Sequence, residues 1–276
     1  MTARTILVTG CSSGIGHHAA LGMKARGWRV LAAARSEGDM ARLAGEGLES
    51  FRLDYADTAS IAAAVDAVLA ATGGRLDALF NNGGYAQPGA IEDLDTDLLR
   101  AQFEANVFGW HDLTRRIIPV MRRQGHGRIV FNASILGFVA ARFRGAYVAS
   151  KHAIEGYADT LRIELTGTGI DVVIIEPGPI ESRFRATAAG HAEGIDIAGS
   201  VHRGAYERAL AGRKEGQGED RFRRGPEAVL EALVHAVESK RPRARYRVTT
   251  PTKVAAFLKR VLPTRTMDRI IGGMRG

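Results

Sequence analysis

Tyr147 and Lys151 stand four residues apart in the run Tyr147-Val148-Ala149-Ser150-Lys151, a spacing that turns a phenol and an ammonium to one face of a helix. A free phenol ionises near pH 10, at about 10 in model peptides, and a neighbouring cation favours the phenolate. Such a pair can exchange a proton with a substrate oxygen. Shortly upstream, Ser134 in Asn132-Ala133-Ser134 adds a hydroxyl that can donate to the same oxygen. Asn106, in Ala105-Asn106-Val107-Phe108-Gly109, falls inside a helical pattern, where asparagine is intrinsically disfavoured and therefore points to a local task. An isolated phenol and lysine at this spacing is common by chance, so the elements around the pair must decide its meaning.

Those elements repeat. Short apolar runs occur at 5–8, 29–33, 48–53, 76–80, 128–131 and 171–175, nearly continuous, as in parallel strands covered on both faces. Helical patterns separate them, for example from Ile61 to Ala71 and from Asp97 to Arg123. The alternation predicts an α/β fold, a single Rossmann-type domain with a doubly wound parallel sheet and helices on both faces. Residues 1–250 form the catalytic domain on this reading. Within it, 177–225 is rich in Gly, Ala, Arg and Glu with only sparse large residues, among them Phe184, Ile195, Tyr206 and Phe222, and reads as a C-terminal substrate lid. Residues 251–276 are a helical extension, with Val254, Phe257, Leu258, Val261 and Leu262 at helical spacing beside Lys253, Lys259 and Arg260. That helix packs on its own domain or on a subunit partner, or else serves as a lid or a membrane-surface contact.

Thr9-Gly10-Cys11-Ser12-Ser13-Gly14-Ile15-Gly16 follows the first strand and opens the first helix. Glycines there let the backbone turn sharply and approach a pyrophosphate at the helix N-terminus, where free amides and the dipole favour an anion. The second strand ends Ala34-Arg35-Ser36. Dinucleotide folds that bind a free ribose 2′-hydroxyl carry an acid at this point, whereas Arg35 suits a 2′-phosphate. NADP(H) is therefore the expected cofactor.

Together these motifs, in this order, resemble the short-chain dehydrogenase/reductase family over nearly the whole chain. The resemblance implies that Asp54 contacts the adenine, although a carboxylate in that place also suits a helix N-terminus. It implies that Asn81-Asn82-Gly83-Gly84 is a cofactor-binding turn with Gly83 in place of alanine, a change of little consequence for cofactor contact that adds backbone freedom able to loosen the turn. Lys151 would hydrogen-bond the nicotinamide ribose, Asn106 would kink its helix and hold a water leading to Lys151, and Pro177 to Ile180 would meet the carboxamide. Ser182 stands where threonine is usual. Hydride addition to a carbonyl carbon leaves an alkoxide, for which Tyr147 is the proton donor, with Lys151 lowering its pKa and Ser134 orienting the substrate.

Further features, among them Glu176-Pro177-Gly178-Pro179-Ile180, resemble bacterial NADP-dependent aldehyde reductases near the 17β-hydroxysteroid and retinol dehydrogenases. Reduction of a small hydrophobic aldehyde is the expectation; 3-oxoacyl, steroid or retinoid carbonyls and alcohols are alternatives, as is an NADP(H)-sensing regulator without turnover. Tyr85, Ile135, Leu136, Phe138, Val139, Phe143, Pro179 and Phe184 would wall the pocket. Arg142, Arg144, Arg183 and Arg185 at its mouth would select acidic substrates or simply be solvated.

The lone Cys11 allows no intrachain disulfide, and no Cys/His cluster suggests a metal site. No secretory leader or spanning segment is apparent, so a cytoplasmic protein is expected. The net charge of +8 names no partner. Its best nucleic-acid candidate, Lys240 to Arg247, is short, and no nucleic acid is expected. The family resemblance implies a homodimer or homotetramer joined through long helices.

Overall fold

The computed structural model describes residues 3–182, 184–191, 195–214 and 222–273. Among them, the strands are β1 (Thr5–Thr9), β2 (Arg29–Ala34), β3 (Glu49–Arg52), β4 (Ala78–Asn81), β5 (Gly127–Asn132), β6 (Ile170–Glu176) and β7 (Arg245–Arg247). The helices are α1 (Gly14–Ala25), α2 (Glu37–Gly45), α3 (Thr58–Thr72), α4 (Thr96–Phe103), α5 (Gly109–Gln124), α6 (Gly145–Glu164), α7 (Phe184–Gly190), α8 (Arg203–Lys214), α9 (Glu227–Glu238), α10 (Thr250–Val261) and α11 (Thr264–Gly273).

The strands form one parallel sheet in the order β3-β2-β1-β4-β5-β6-β7. Side chains alternate across a strand, so each central strand feeds two cores. Leu7, Leu79, Ile129, Phe131 and Ile174 pack with α3, α5 and α6 on one face. Ile6, Val8, Phe80, Val130 and Val173 pack with α1 and α9 on the other. The order reverses between β1 and β4, and the crevice beyond their C-terminal ends is where open sheets of this kind bind ligands.

Four local features differ from the reading of the sequence. A seventh strand lies inside the basic run Lys240–Arg247, and its Tyr246 is buried in the core. The expected long helix at 97–123 is α4 and α5 joined by a π-helical turn at Glu104–Phe108. The segment 177–225 contains α7 and α8 and is held by its own contacts: Tyr206 Oη accepts from the Ala90 amide at 2.6 Å and donates to Asp93 at 2.8 Å. The C-terminal pattern is two helices, broken at Leu262-Pro263 because proline disfavours helical backbone at the residue before it.

Candidate active site

The glycine loop leaves β1 under tight steric control. Gly10 has φ +67°, and a Cβ there would come within 2.5 Å of Gly83 Cα; at Gly16 it would meet the Gly10 carbonyl oxygen at 2.2 Å. Thr9 fastens the loop to the end of β4. Its hydroxyl donates to the Phe80 carbonyl at 3.0 Å and accepts from the Asn82 amide at 2.9 Å, the Gly83 amide at 3.2 Å and the Tyr55 hydroxyl at 2.8 Å. Ser13 is the extended residue before α1 and gives the helix no side-chain cap, so the first amides of α1 remain available to an anion. Ser12 is exposed beside it, while Gly14 and Ile15 are half-buried. These shapes fit a dinucleotide pyrophosphate.

Arg35 lies exposed where β2 ends, and its charge reaches His191 at the end of α7. A second cation, unmarked by any motif, stands nearby: Arg42 of α2 donates to the Ser12 carbonyl at 2.6 Å. Asp54 accepts from the Ala56 amide at 3.0 Å, so one carboxylate oxygen shapes a turn, while the cap of α3 is Asp57. Asn81 is fully buried and spends its side chain on Tyr55 Oη at 3.1 Å and Thr114 Oγ1 at 3.0 Å. Any cofactor contact at Asn81 therefore falls to its backbone. Gly83 does not loosen the turn, because Trp110 Nε1 donates to its carbonyl at 2.7 Å and Thr9 holds its amide.

Tyr147, Ser134, Lys151 and Asn106 meet where β5, the π-helical turn and α6 converge. Ser134 hydrogen-bonds Tyr147 and accepts from the Leu136 amide at 3.1 Å. Burial pushes the Tyr147 phenol up to about 12, against the opposing effects of the Ser134 hydrogen bond and the positive charge of Arg144. The Lys151 ammonium donates to the Asn132 carbonyl at 2.9 Å and lies 4.3 Å from the Trp110 ring centre and 5.7 Å from that of Tyr147. Burial pulls Lys151 down to about 7, with Glu155 opposing that shift.

Tyr147 and Lys151 are both buried on one face of α6, as their spacing predicts. Desolvation outweighs the neighbouring charges at both groups, and the groups that do lower Tyr147 are Ser134 and Arg144. The consequence is a phenol that holds its proton at neutral pH, the form needed to donate one.

Asn106 is buried in the π-helical turn with its side chain fully used. Its Nδ2 donates to the Tyr85 carbonyl at 2.9 Å and Ser150 Oγ at 3.2 Å, and its Oδ1 accepts from the Tyr85 amide at 3.1 Å. It joins the loop after β4 to α6 one residue before Lys151. Pro177 serves a similar purpose, its carbonyl accepting from the Ile135 amide at 2.7 Å beside Ser134. Ile180 packs into the α1 and α9 core, and Ser182 Oγ accepts the first amide of α7, from Phe184, at 3.4 Å.

Behind Lys151 lies a charge cluster that draws on the basic run Lys240 to Arg247. Arg245 of β7 pairs with Glu176 at 3.0 Å, Glu155 at 3.0 Å and Asp159 at 2.7 Å, and Arg247 pairs with Glu176 at 3.1 Å. Glu155 lies one helical turn beyond Lys151. Burial and the repulsion of Glu176 push its carboxyl up to about 7, against the pull of Arg245. The alternation Arg245-Tyr246-Arg247 is the period-2 signal that identifies this strand.

The expected pocket wall divides in two. Leu136 and Phe184 pack with Tyr147, Ala86 and Ala188, and the Phe184 ring centre is 5.5 Å from that of Tyr147. Tyr85 stacks on His191 at 4.2 Å. Phe143 instead has φ +57° and packs against Tyr206 and Ile195 in a separate cluster, which removes it from the wall beside Tyr147. Val139 is buried, and the Phe138 carbonyl accepts from the Lys259 ammonium. Of the four arginines at the mouth, Arg142 is exposed and Arg144 half-buried; Arg183 and the side chain of Arg185 lie outside the described residues.

Comparison with known proteins agrees with this geometry. The family model for short chain dehydrogenase matches residues 4–192. An Escherichia coli (strain K12) protein, uncharacterized oxidoreductase YbbO, is 39% identical over 98% of this chain and 94% of its own length. Human 17-beta-hydroxysteroid dehydrogenase type 1 is 31% identical over 90% of this chain and 78% of its own. A solved structure of actinorhodin polyketide ketoreductase with NADPH superposes with a TM-score of 0.73 at 29% identity, covering 89% of this chain and 95% of the other. The chain belongs to the short-chain dehydrogenase/reductase family of oxidoreductases.

Proposed function

We propose that this protein reduces small apolar carbonyl compounds, aldehydes foremost, with NADPH. The observation that carries the reading is the convergence of Tyr147, Ser134 and Lys151, with the Tyr147 ring bordered by Leu136 and Phe184 and the Lys151 ammonium 5.7 Å from its centre. A nicotinamide cofactor, held at the crevice beyond the C-terminal ends of β1 and β4, would supply the hydride. Ser134 orients the carbonyl oxygen and Tyr147 gives its Oη proton to the alkoxide, with the Lys151 ammonium on the same helix face to stabilise the phenolate left behind. The apolar side chains at Tyr147 favour a hydrocarbon substituent and exclude water from the reacting oxygen.

NADPH is favoured over NADH by two cations at the adenosine end. Arg35 closes β2, Arg42 reaches the glycine loop, and the Ser36 hydroxyl beside them caps α2 by accepting from the Asp39 amide at 3.2 Å. A guanidinium pairs well with a phosphate. Replacing Arg35 with Asp is expected to reverse the ratio of kcat/KM for NADPH over NADH by about a hundredfold, since charge-assisted bonds contribute about 1.5–3 kcal/mol and the carboxylate adds repulsion. Steady-state rates with both cofactors over a panel of aldehydes, ketones, steroids and retinoids test this. An unchanged ratio would remove Arg35 from the cofactor site, and a panel without turnover would remove carbonyl reduction.

The same reading includes assembly as a homodimer or homotetramer. The outer faces of the long helices support it: Phe108, just before α5, is 52% exposed and Ile163 of α6 is 72% exposed.

A further inference from the structure

The basic excess of this chain is concentrated at one end. Residues 240–276 contain eleven Lys and Arg against the single acid Asp268, a net of +10, whereas the whole chain carries +8 and residues 1–239 therefore −2. Arg245 is paired with Glu155, Asp159 and Glu176, and Arg247 with Glu176. Of the rest, Lys253, Lys259, Arg260, Arg265 and Arg269 lie on α10 and α11.

α10 contains no acidic residue and presents an apolar stripe to solvent. Val254, Phe257 and Val261 are 50%, 65% and 53% exposed, and their spacing of three and four residues places them on one face. Lys253 and Arg260, both exposed, stand four residues before Phe257 and three after it, along one edge of that stripe. The opposite face is fixed to the body of the protein. Thr252 is fully buried, and a Cβ on Gly178 would meet Thr249 Oγ1 at 2.1 Å and Thr252 Oγ1 at 2.7 Å. Lys259 donates to the Phe138 carbonyl. The helix is thus clamped onto two segments of the active site while its outer face has no partner among the described residues.

We propose that the outer face of α10 is a docking surface for an anionic lipid bilayer. A helix that lies in a membrane interface combines an apolar stripe with flanking lysines and arginines, the first entering the acyl boundary and the second meeting acidic headgroups. Among the described residues, no helix is long and apolar enough to cross a membrane, so this contact is in the plane of the surface. Charge decides against the other occupants. A second copy on a two-fold axis would bring the Lys253 and Arg260 edges against their own counterparts, with no carboxylate on α10 to neutralise them. A nucleic-acid backbone would meet the cations but leave Phe257 and its apolar neighbours unburied. Docking in this orientation brings the segments around Gly178 and Phe138 toward the bilayer, whichever carbonyl the site accepts.

The test is flotation of the full chain with vesicles of phosphatidylcholine alone and of phosphatidylcholine with phosphatidylglycerol, at low and high salt. The expected result is binding to the phosphatidylglycerol vesicles that weakens as salt is raised, with little binding to phosphatidylcholine. Lys253→Gln and Arg260→Gln are each expected to reduce it about fivefold, and Phe257→Asp to abolish it. A thermal melt unchanged from wild type establishes that each variant is folded. The proposal is overturned by absence of phosphatidylglycerol-dependent binding, or by binding that survives Phe257→Asp. It is equally overturned if Phe257→Asp lowers the oligomeric state in light scattering, which assigns the stripe to a second copy. Retention of duplex DNA binding in place of vesicle binding would assign the charge to nucleic acid.

Discussion

Replacing Tyr147 with Phe is expected to lower carbonyl-dependent NADPH oxidation by about a hundredfold to ten-thousandfold, the range spanned by loss of a positioned general acid. Phe retains the ring that packs against Phe184, Leu136 and Ala188. The hydrogen bond with Ser134 is lost, at a cost of about 1 kcal/mol in stability, so the variant remains folded and keeps its affinity for NADPH. What disappears is the proton. With the phenol pushed up to about 12 by burial, the wild-type group is neutral throughout the physiological range and ready to protonate an alkoxide. Steady-state turnover alongside fluorescence titration with NADPH separates the two effects. Turnover close to wild type would mean that the alkoxide draws its proton from elsewhere.

Arg245→Met is expected to cost about 2–4 kcal/mol of folding stability, somewhat less than breaking a fully buried ion pair, because the Arg245 side chain is partly exposed and Arg247 still neutralises part of Glu176. The removed guanidinium serves Glu155, Asp159 and Glu176 together, and Glu176 is almost wholly buried. The loss should depend on pH. The Glu155 carboxyl titrates at about 7 in the folded chain against 4.5 for the free group, so the folded state binds more protons between those values. Its contribution to stability is therefore present below 4.5 and is lost as pH rises through about 7. Without Arg245 the carboxyls rise further, and the deficit relative to wild type should be largest near about pH 8 and narrow toward about pH 5, where they are neutralised by protons instead. Urea unfolding at both pH values measures it. A deficit that is the same at both would show that the arginine acts through packing alone.

Much of this site was legible because its parts are local. The run from Thr9 to Gly16 must turn after a strand, and Tyr147 with Lys151 needs a single helix; neither depends on distant contacts. The fold followed from the short apolar runs for the same reason. What escaped the sequence depends on partners far along the chain. Arg245 and Arg247 look like surface charge until β7 is laid beside β6, which puts Glu176 and Glu155 opposite them. Arg42 gains its meaning from the Ser12 carbonyl, thirty residues away. Phe143 appeared to be a pocket residue by adjacency to Tyr147, but its left-handed backbone turns it toward Tyr206 instead. Asn81 sat in a recognisable cofactor turn, yet Tyr55 and Thr114 consume its side chain. The burial of Tyr147 escaped the sequence because residue types reveal the neighbouring charge and conceal desolvation.

The most direct measurement is isotope transfer. Purified full-length protein is supplied with NADPH deuterated at the nicotinamide C4 and a panel of aliphatic aldehydes, and the alcohol products are analysed by mass spectrometry. The expected result is one deuterium on the former carbonyl carbon with the wild-type chain, and only background incorporation with Tyr147→Phe. Binding of NADPH without deuterium in any product, or equal incorporation by Tyr147→Phe, would contradict carbonyl reduction through Tyr147.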